Sequence, residues 1–414
     1  MQFSKTTSDM VKPLLPLIKK CGTSPQQTSS QQTSSQQTSL RKVQLKIYND
    51  IKKGDEYVDK LVKTECFEPS ISGVRDVPKT YDSHYFPKII KDYIHVNIKY
   101  QLTYQCDVHG RSVKIVFALF TEGEVANIKK YNHSARFIYT WLYICGQYSL
   151  RKCSKTLNIY LYFTPFLKLP PASKTAILGA EHINTAYTYN CIPEGEIVLY
   201  REEEWKKVFI HETFHSFGLD FGDFDCDNVK KRISRIFPVK SEFELTETYT
   251  ETWARIIHTA FVSYSSLGKK TDKEGFVLYM NMGLEIERLF SLQQLVHVLQ
   301  FMGIRYGDLY KRCDASRMLR QNMYREDTHV LAYYVLSGIL MNDYGGFLTW
   351  CITHNVNMYK FDATPRNMSS FLDLFKDYHD CDVLKESLAC VMSHLTKTKH
   401  PIVRTMRMSV LEMM

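Results

Sequence analysis

The 414-residue chain reads as α+β, with a mixed sheet and helices in its first two thirds and a mainly α-helical C-terminal region. Three observations predict this. Residues 94–105 and 113–119 alternate apolar and polar side chains, the period of half-buried strands. Residues 202–221 place apolar side chains at i, i+3, i+4 and i+7, the period of a helix with one buried face. Beyond about residue 270 helical spacing dominates, as in Ile286–Met302 and Thr328–Met341.

With 44% hydrophobic and 13% aromatic residues the chain can bury a large core. The formal net charge of +9 is spread along the sequence. Such charge permits contact with nucleic acid, but no aromatic–basic motif, zinc knuckle or concentrated basic strip supports one. Eleven scattered cysteines, an odd number with no C-x-x-C pair, suggest buried free thiols and an intracellular, reducing compartment. Val11–Ile18 is broken by prolines and too short for a secretory signal. Runs such as Phe137–Gly146 and Val330–Met341 fall short of the ~20 residues that a membrane span needs.

Taken in order, the Gln/Thr/Ser repeats between residues 22 and 40 have no apolar face, so residues 1–40 are expected to be a disordered tail. Val43, Ile47, Ile51, Val58 and Leu61 follow at helical spacing, giving one amphipathic helix or a pair broken at Gly54 within a segment 41–84. Ile94 to Gln105 reads as a strand, Asp107-Val108-His109-Gly110 as a turn, and Val113 to Leu119 as the returning strand. A helix over 123–147 and a strand over Leu157–Phe163 come next. Ile183–Thr188 and Gly195–Tyr200 read as short strands leading into the 202–221 helix, whose first turn would hold Glu202, Glu203 and Glu204. Ser241-Glu242-Phe243-Glu244 has the form of a capping box, so a second helix is expected to open there. The domain containing both helices is placed at 85–265. A helical subdomain at 266–414 ends in a basic tail with Lys397, Lys399, Arg404 and Arg407.

The 202–221 helix contains His211-Glu212-Thr213-Phe214-His215. Residues four apart share a helix face, with Cβ atoms roughly 5–6 Å apart. Two imidazoles so placed can hold one Zn²⁺ ion per chain, with Glu212 beside them as a general base for water. A catalytic zinc site needs a third protein ligand. The metzincin pattern H-E-x-x-H-x-x-G-x-x-H has Gly218 in register but Phe221 in the ligand position, where no metal can bind; Asp220 is one residue off. Glu247-Thr248-Tyr249-Thr250-Glu251 instead offers two carboxylates one turn apart on a later helix. Two acids on an otherwise apolar helix need a cation partner. Glu247 is the expected ligand and Glu251 its supporting acid, with the reverse assignment left open, as is a solvated face on which Glu251 pairs with Arg255.

The HExxH helix, the downstream E-x-x-x-E helix and the preceding Asn184-Thr185-Ala186-Tyr187 stretch resemble the gluzincin type of zincin metallopeptidase. The resemblance covers roughly residues 85–265, and the overall pattern is also similar to metallopeptidases of large DNA viruses. It implies a zincin-like catalytic domain in which Asn184, Ala186 and Tyr187 lie on a sheet-edge strand that pairs with a polypeptide substrate. It further implies a second electrophile for the oxyanion, with His329 and Tyr333 as candidates, and a site of action in the host cytoplasm or virion. An alternative from another class is a catalytically inactive zincin fold serving as a structural or interaction protein in a larger assembly.

Overall fold

The structure, a computed structural model, describes residues 4–21, 33–73, 75–397, 400 and 404–413. The chain divides into two compact units, one of 47–167 and 184–222, the other of 1–46, 168–183 and 223–414. These boundaries cut across the contiguous division at 40, 84 and 265, because compactness follows contacts rather than chain order.

The first unit is built on a mixed six-stranded sheet of β1 (Ser70–Ser72), β2 (Tyr100–Val108), β3 (Arg111–Leu119), β4 (Thr156–Tyr162), β5 (Ala186–Thr188) and β6 (Glu194–Leu199). Its spatial order is β1-β2-β3-β4-β6-β5. β3, β4 and β6 run parallel, whereas β1, β2 and β5 pair antiparallel with their neighbours. The β2–β3 turn is the one the sequence announces: His109 and Gly110 both have positive φ, 52° and 76°, and Val108 pairs with Arg111. That is the geometry of a two-residue hairpin whose twist matches its strands.

Helices cover both faces of this sheet. On one face α1 (Lys88–Asn97) buries Ile90 and Ile94 against Val116, Ala118, Tyr160, Tyr162 and Val198. The predicted strand therefore begins only at Tyr100. Ile94, Val96 and Ile98 do alternate, but Val96 is 77% exposed, and the i, i+4 pair Ile90 and Ile94 decides the conformation. α2 (Ile128–Tyr148) and α3 (Trp205–Ser216) pack together through Phe137 with Trp205 and Phe209, and Trp141 with Phe214. α2 meets β2, and α3 rests on β5 and β6. A short helix Ala180–Ile183 precedes β5, so Asn184, expected on the edge strand, lies outside it.

The second unit is helical. Its centre is α4 (Leu245–Ser265), packed on α5 (Lys273–Phe301) and on the segment from Leu331 to Asn342. Rings of Phe347, Phe361 and Phe371 surround Tyr249 of α4. The expected capping box at Ser241 does not form: α4 starts at Leu245, and the Ser241 hydroxyl instead donates to Glu326. The predicted helix 328–341 is also different, since Leu331–Leu336 form a π-helical turn that leads into an α-helix over Ser337–Asn342. Such turns recur at functional sites.

Both chain ends of this unit depart from expectation. Lys5–Val11 and Leu15–Lys20 are helices, Val11, Leu14 and Leu17 in and between them are buried, and a further helix spans Thr33–Leu61 without a break at Gly54. The expected disordered tail over 1–40 thus fails for 5–20 and 33–40, while 22–32 lie outside the described residues. Thr7 donates to the Val410 carbonyl and accepts from the Glu412 amide at 2.8 Å. Arg407, placed by sequence in a basic tail, is buried and pairs with Glu412 at 2.8 Å among buried Met406, Met408, Val410 and Leu411; Lys399 lies outside the described residues. Apolar residues between the basic ones drive this docking. Four cysteines are paired rather than free, as the disulfides Cys21–Cys390 and Cys153–Cys191, because spacing along a chain says nothing of proximity. Among the described residues no helix is long and apolar enough to cross a membrane.

Candidate metal centre

α3 is set by its back before its front can act. Thr213, the residue inside the motif that points away from the histidines, is fully buried and receives the Trp141 indole N–H at 2.5 Å. Its hydroxyl returns to the carbonyls of Phe209 and Ile210 at 2.9 and 2.7 Å. The helix starts at Trp205, one residue after Glu204, whose φ of 60° is left-handed. The three acids Glu202, Glu203 and Glu204 thus precede the first turn rather than occupy it, and Glu202 pairs with Lys130 at 2.7 Å.

On the front face the Nε2 atoms of His211 and His215 approach to 3.2 Å. Two nitrogens held about 2.0–2.1 Å from one tetrahedral ion stand roughly 3.3 Å apart. The pair therefore has the spacing of two ligands to one metal. Glu247 sits in the first turn of α4, and its carboxylate and the two imidazoles all lie within 4.8 Å of one another. Two imidazole nitrogens and one carboxylate are a donor set of catalytic zinc sites, so the residues fit the group. His211 and Glu212 are buried, whereas His215 and Glu247 are half-buried.

Sequence reasoning missed the residue behind His215. Gly218, with φ of 59°, ends α3 in a left-handed turn in which Gly218 N–H donates to the His215 carbonyl at 3.0 Å and Leu219 N–H to that of Phe214 at 2.8 Å. This reversal brings Asp220 back along the helix, where its Oδ2 lies 2.5 Å from His215 Nδ1 and its Oδ1 accepts from Gly222 N–H at 3.1 Å. The Asp220 side chain is 1% exposed. A carboxylate on Nδ1 fixes the ring and leaves Nε2 as the ligand atom. The metzincin register of Gly218, with Asp220 one place off, directs attention to a metal ligand rather than to a partner of His215. The signal was present in the sequence, as a left-handed glycine followed two residues later by an acid.

Glu251 is 1% exposed and does not lie on a solvated face. Its Oε1 accepts from Arg255 Nε at 3.0 Å, and the same guanidinium donates to Ser291 Oγ at 2.7 Å and to the Tyr333 carbonyl at 3.1 Å. Tyr333 is buried within the π-helical turn, and His329 precedes that turn with its ring 6.0 Å from that of Tyr333. Ala186 and Tyr187 lie on β5, an antiparallel edge strand, but the Tyr187 side chain faces the aromatic core and its hydroxyl donates to the Thr80 carbonyl at 2.8 Å. Asn184 accepts from Arg201 through its carbonyl at 3.0 Å. Compared with known protein families, characterised proteins and solved structures, the chain matches none.

Proposed function

We propose that the chain is a zinc-dependent hydrolase. More narrowly, it is read as a peptidase of the gluzincin type, with His211, His215 and Glu247 as ligands and Glu212 as general base. The observation that carries this reading is the convergence of one ring nitrogen each of His211 and His215 and the Glu247 carboxylate within 4.8 Å of one another, with Glu212 next to His211 in the chain. A bound zinc ion supplies a Lewis acid that polarises a carbonyl and makes water acidic enough to react near neutral pH.

The chain's own residues do the rest. Asp220 holds His215 with Nε2 forward. Glu212, next to His211 on the same helix, takes a proton from the attacking water and delivers it to the departing amine. A polypeptide laid along the free edge of β5 would present its backbone as an additional strand, which supports peptide as the substrate class. His329 and Tyr333 stay the proposed donors to the oxyanion. Glu212→Gln tests the assignment: it should keep zinc while peptide cleavage falls by about 10²–10⁴-fold. Turnover equal to wild type in that variant contradicts the mechanism.

A further inference from the structure

The C-terminal end of α3 is met by two loops of the same unit that are joined covalently. Cys153 follows α2, Cys191 lies between β5 and β6, and a disulfide links them. Cys191 N–H donates to the carbonyl of His215 at 3.1 Å, the same carbonyl that Gly218 N–H reaches. Ser154 Oγ donates to the carbonyl of Ser216 at 2.9 Å, and Ser154 N–H to that of Ile192 at 2.8 Å. Two of the last carbonyls of the metal helix are therefore satisfied by the linked loops, at His215 itself and at its neighbour.

The backbone there is not one that the chain adopts at ease. Ser154 and Cys191 have φ of 47° and 45°, left-handed values that side chains other than glycine disfavour. Space is equally short. A Cβ at Gly218 would lie 3.2 Å from Cys153 Sγ and 3.3 Å from Cys191 Sγ, and one at Gly195 would lie 2.5 Å from Ser154 Oγ. The disulfide thus lies flush against the turn that sends Asp220 back to His215.

We propose that the Cys153–Cys191 disulfide is a positioning element of the metal centre, so that the redox state of this pair sets how tightly the site holds zinc. The inference rests on the metal-site reading of His211 and His215. Reduction transfers two electrons and two protons from an external dithiol, which closes to its own disulfide while the S–S bond becomes two thiols. Thiols do not sit at bonding distance, so the two loops part and the His215 carbonyl loses the Cys191 amide. Loss of such support behind a metal ligand lowers affinity by about 10–100-fold. Linkage makes the effect reciprocal: saturating zinc lowers the reduction potential of this disulfide by about 30 mV for each tenfold.

The test uses the full chain, oxidised and reduced, beside the Cys153→Ser/Cys191→Ser double variant and His211→Ala. Zinc affinity is read by chelator competition, and amide hydrogen exchange is followed in residues 214–222 with β3 as the internal reference. Expected are exchange at Gly218 and Leu219 that quickens on reduction while β3 is unchanged, zinc bound 10–100-fold more weakly by the double variant, and a zinc-dependent shift in potential that His211→Ala abolishes. Exchange in 214–222 that ignores reduction overturns the proposal whether or not zinc binds, and so does a zinc affinity indifferent to the disulfide. Oxidised wild type that takes up no zinc overturns the metal-site reading and this role with it.

Discussion

Replacing Asp220 by Asn removes the buried carboxylate behind His215. The Asp220 side chain is 1% exposed, its Oδ2 stands 2.5 Å from His215 Nδ1, and His215 itself is 13% exposed. Charge-assisted hydrogen bonds of this kind are worth about 1.5–3 kcal/mol, roughly twice their neutral counterparts. Asn keeps the shape, and its amide oxygen can still accept from Gly222 N–H, so the turn after Gly218 should survive. What is lost is the negative charge that makes the imidazole a better donor to a cation, together with the acceptor for His215 Nδ1–H, because the other end of the amide is an NH2 group. Substitutions behind metal-ligating histidines cost about 10–100-fold in affinity, or about 1.4–2.7 kcal/mol. Zinc titration against a chromogenic chelator should show that weakening. An Asp220→Asn protein that binds zinc within twofold of wild type refutes the role assigned to this residue.

Two further outcomes concern the helical unit. Arg255→Ala leaves the Glu251 carboxylate, 1% exposed, without its guanidinium and strips donors from Ser291 and the Tyr333 carbonyl. Breaking a buried pair from one side costs about 3–5 kcal/mol, so urea unfolding should shift accordingly, and a loss below about 1 kcal/mol speaks against a buried pair. Glu326 is pushed up from an ordinary 4.5 to about 7 by burial, against the opposing pull of donors including Ser241 Oγ and Leu331 N–H. Because the folded protein holds this proton more tightly than the unfolded chain, stability falls as pH rises from about 4.5 to 7. The gap corresponds to about 3 kcal/mol. Glu326→Gln should therefore be the more stable protein at pH 8 and lose that advantage near pH 4, as read by denaturant unfolding at each pH; a pH-independent difference would be the wrong result.

What could be read from the sequence was whatever depends on neighbours in the chain. The His211 and His215 pair needs only a helix and a spacing of four, and the Val108–Arg111 hairpin needs only His109 and Gly110 between alternating strands. Glu247 was singled out together with Glu251 because two carboxylates one turn apart on an otherwise apolar helix ask for a cation partner. The failures share the opposite cause. Ile94, Val96 and Ile98 alternate as a strand would, yet burial of Ile90 and Ile94 on one sheet face makes a helix. Ser241 has the residues of a cap, but Glu326, 85 positions away, takes its hydroxyl. Arg255 looked like a surface partner for Glu251 until Ser291 and Tyr333 closed around it. Nothing local marks Cys153 and Cys191 as partners, or Thr7 as a partner of Val410 and Glu412.

His211, His215 and Glu247 are placed so that they could hold one metal ion. Zinc content per chain, measured by mass spectrometry on purified wild type, Glu247→Ala and Glu251→Gln after equal exposure to zinc, tests it most directly. One zinc is expected in wild type, none in Glu247→Ala, and one in Glu251→Gln, whose side chain still accepts from Arg255. A wild type without zinc, or a Glu247→Ala protein with a full equivalent of it, contradicts a metal site built from these three residues.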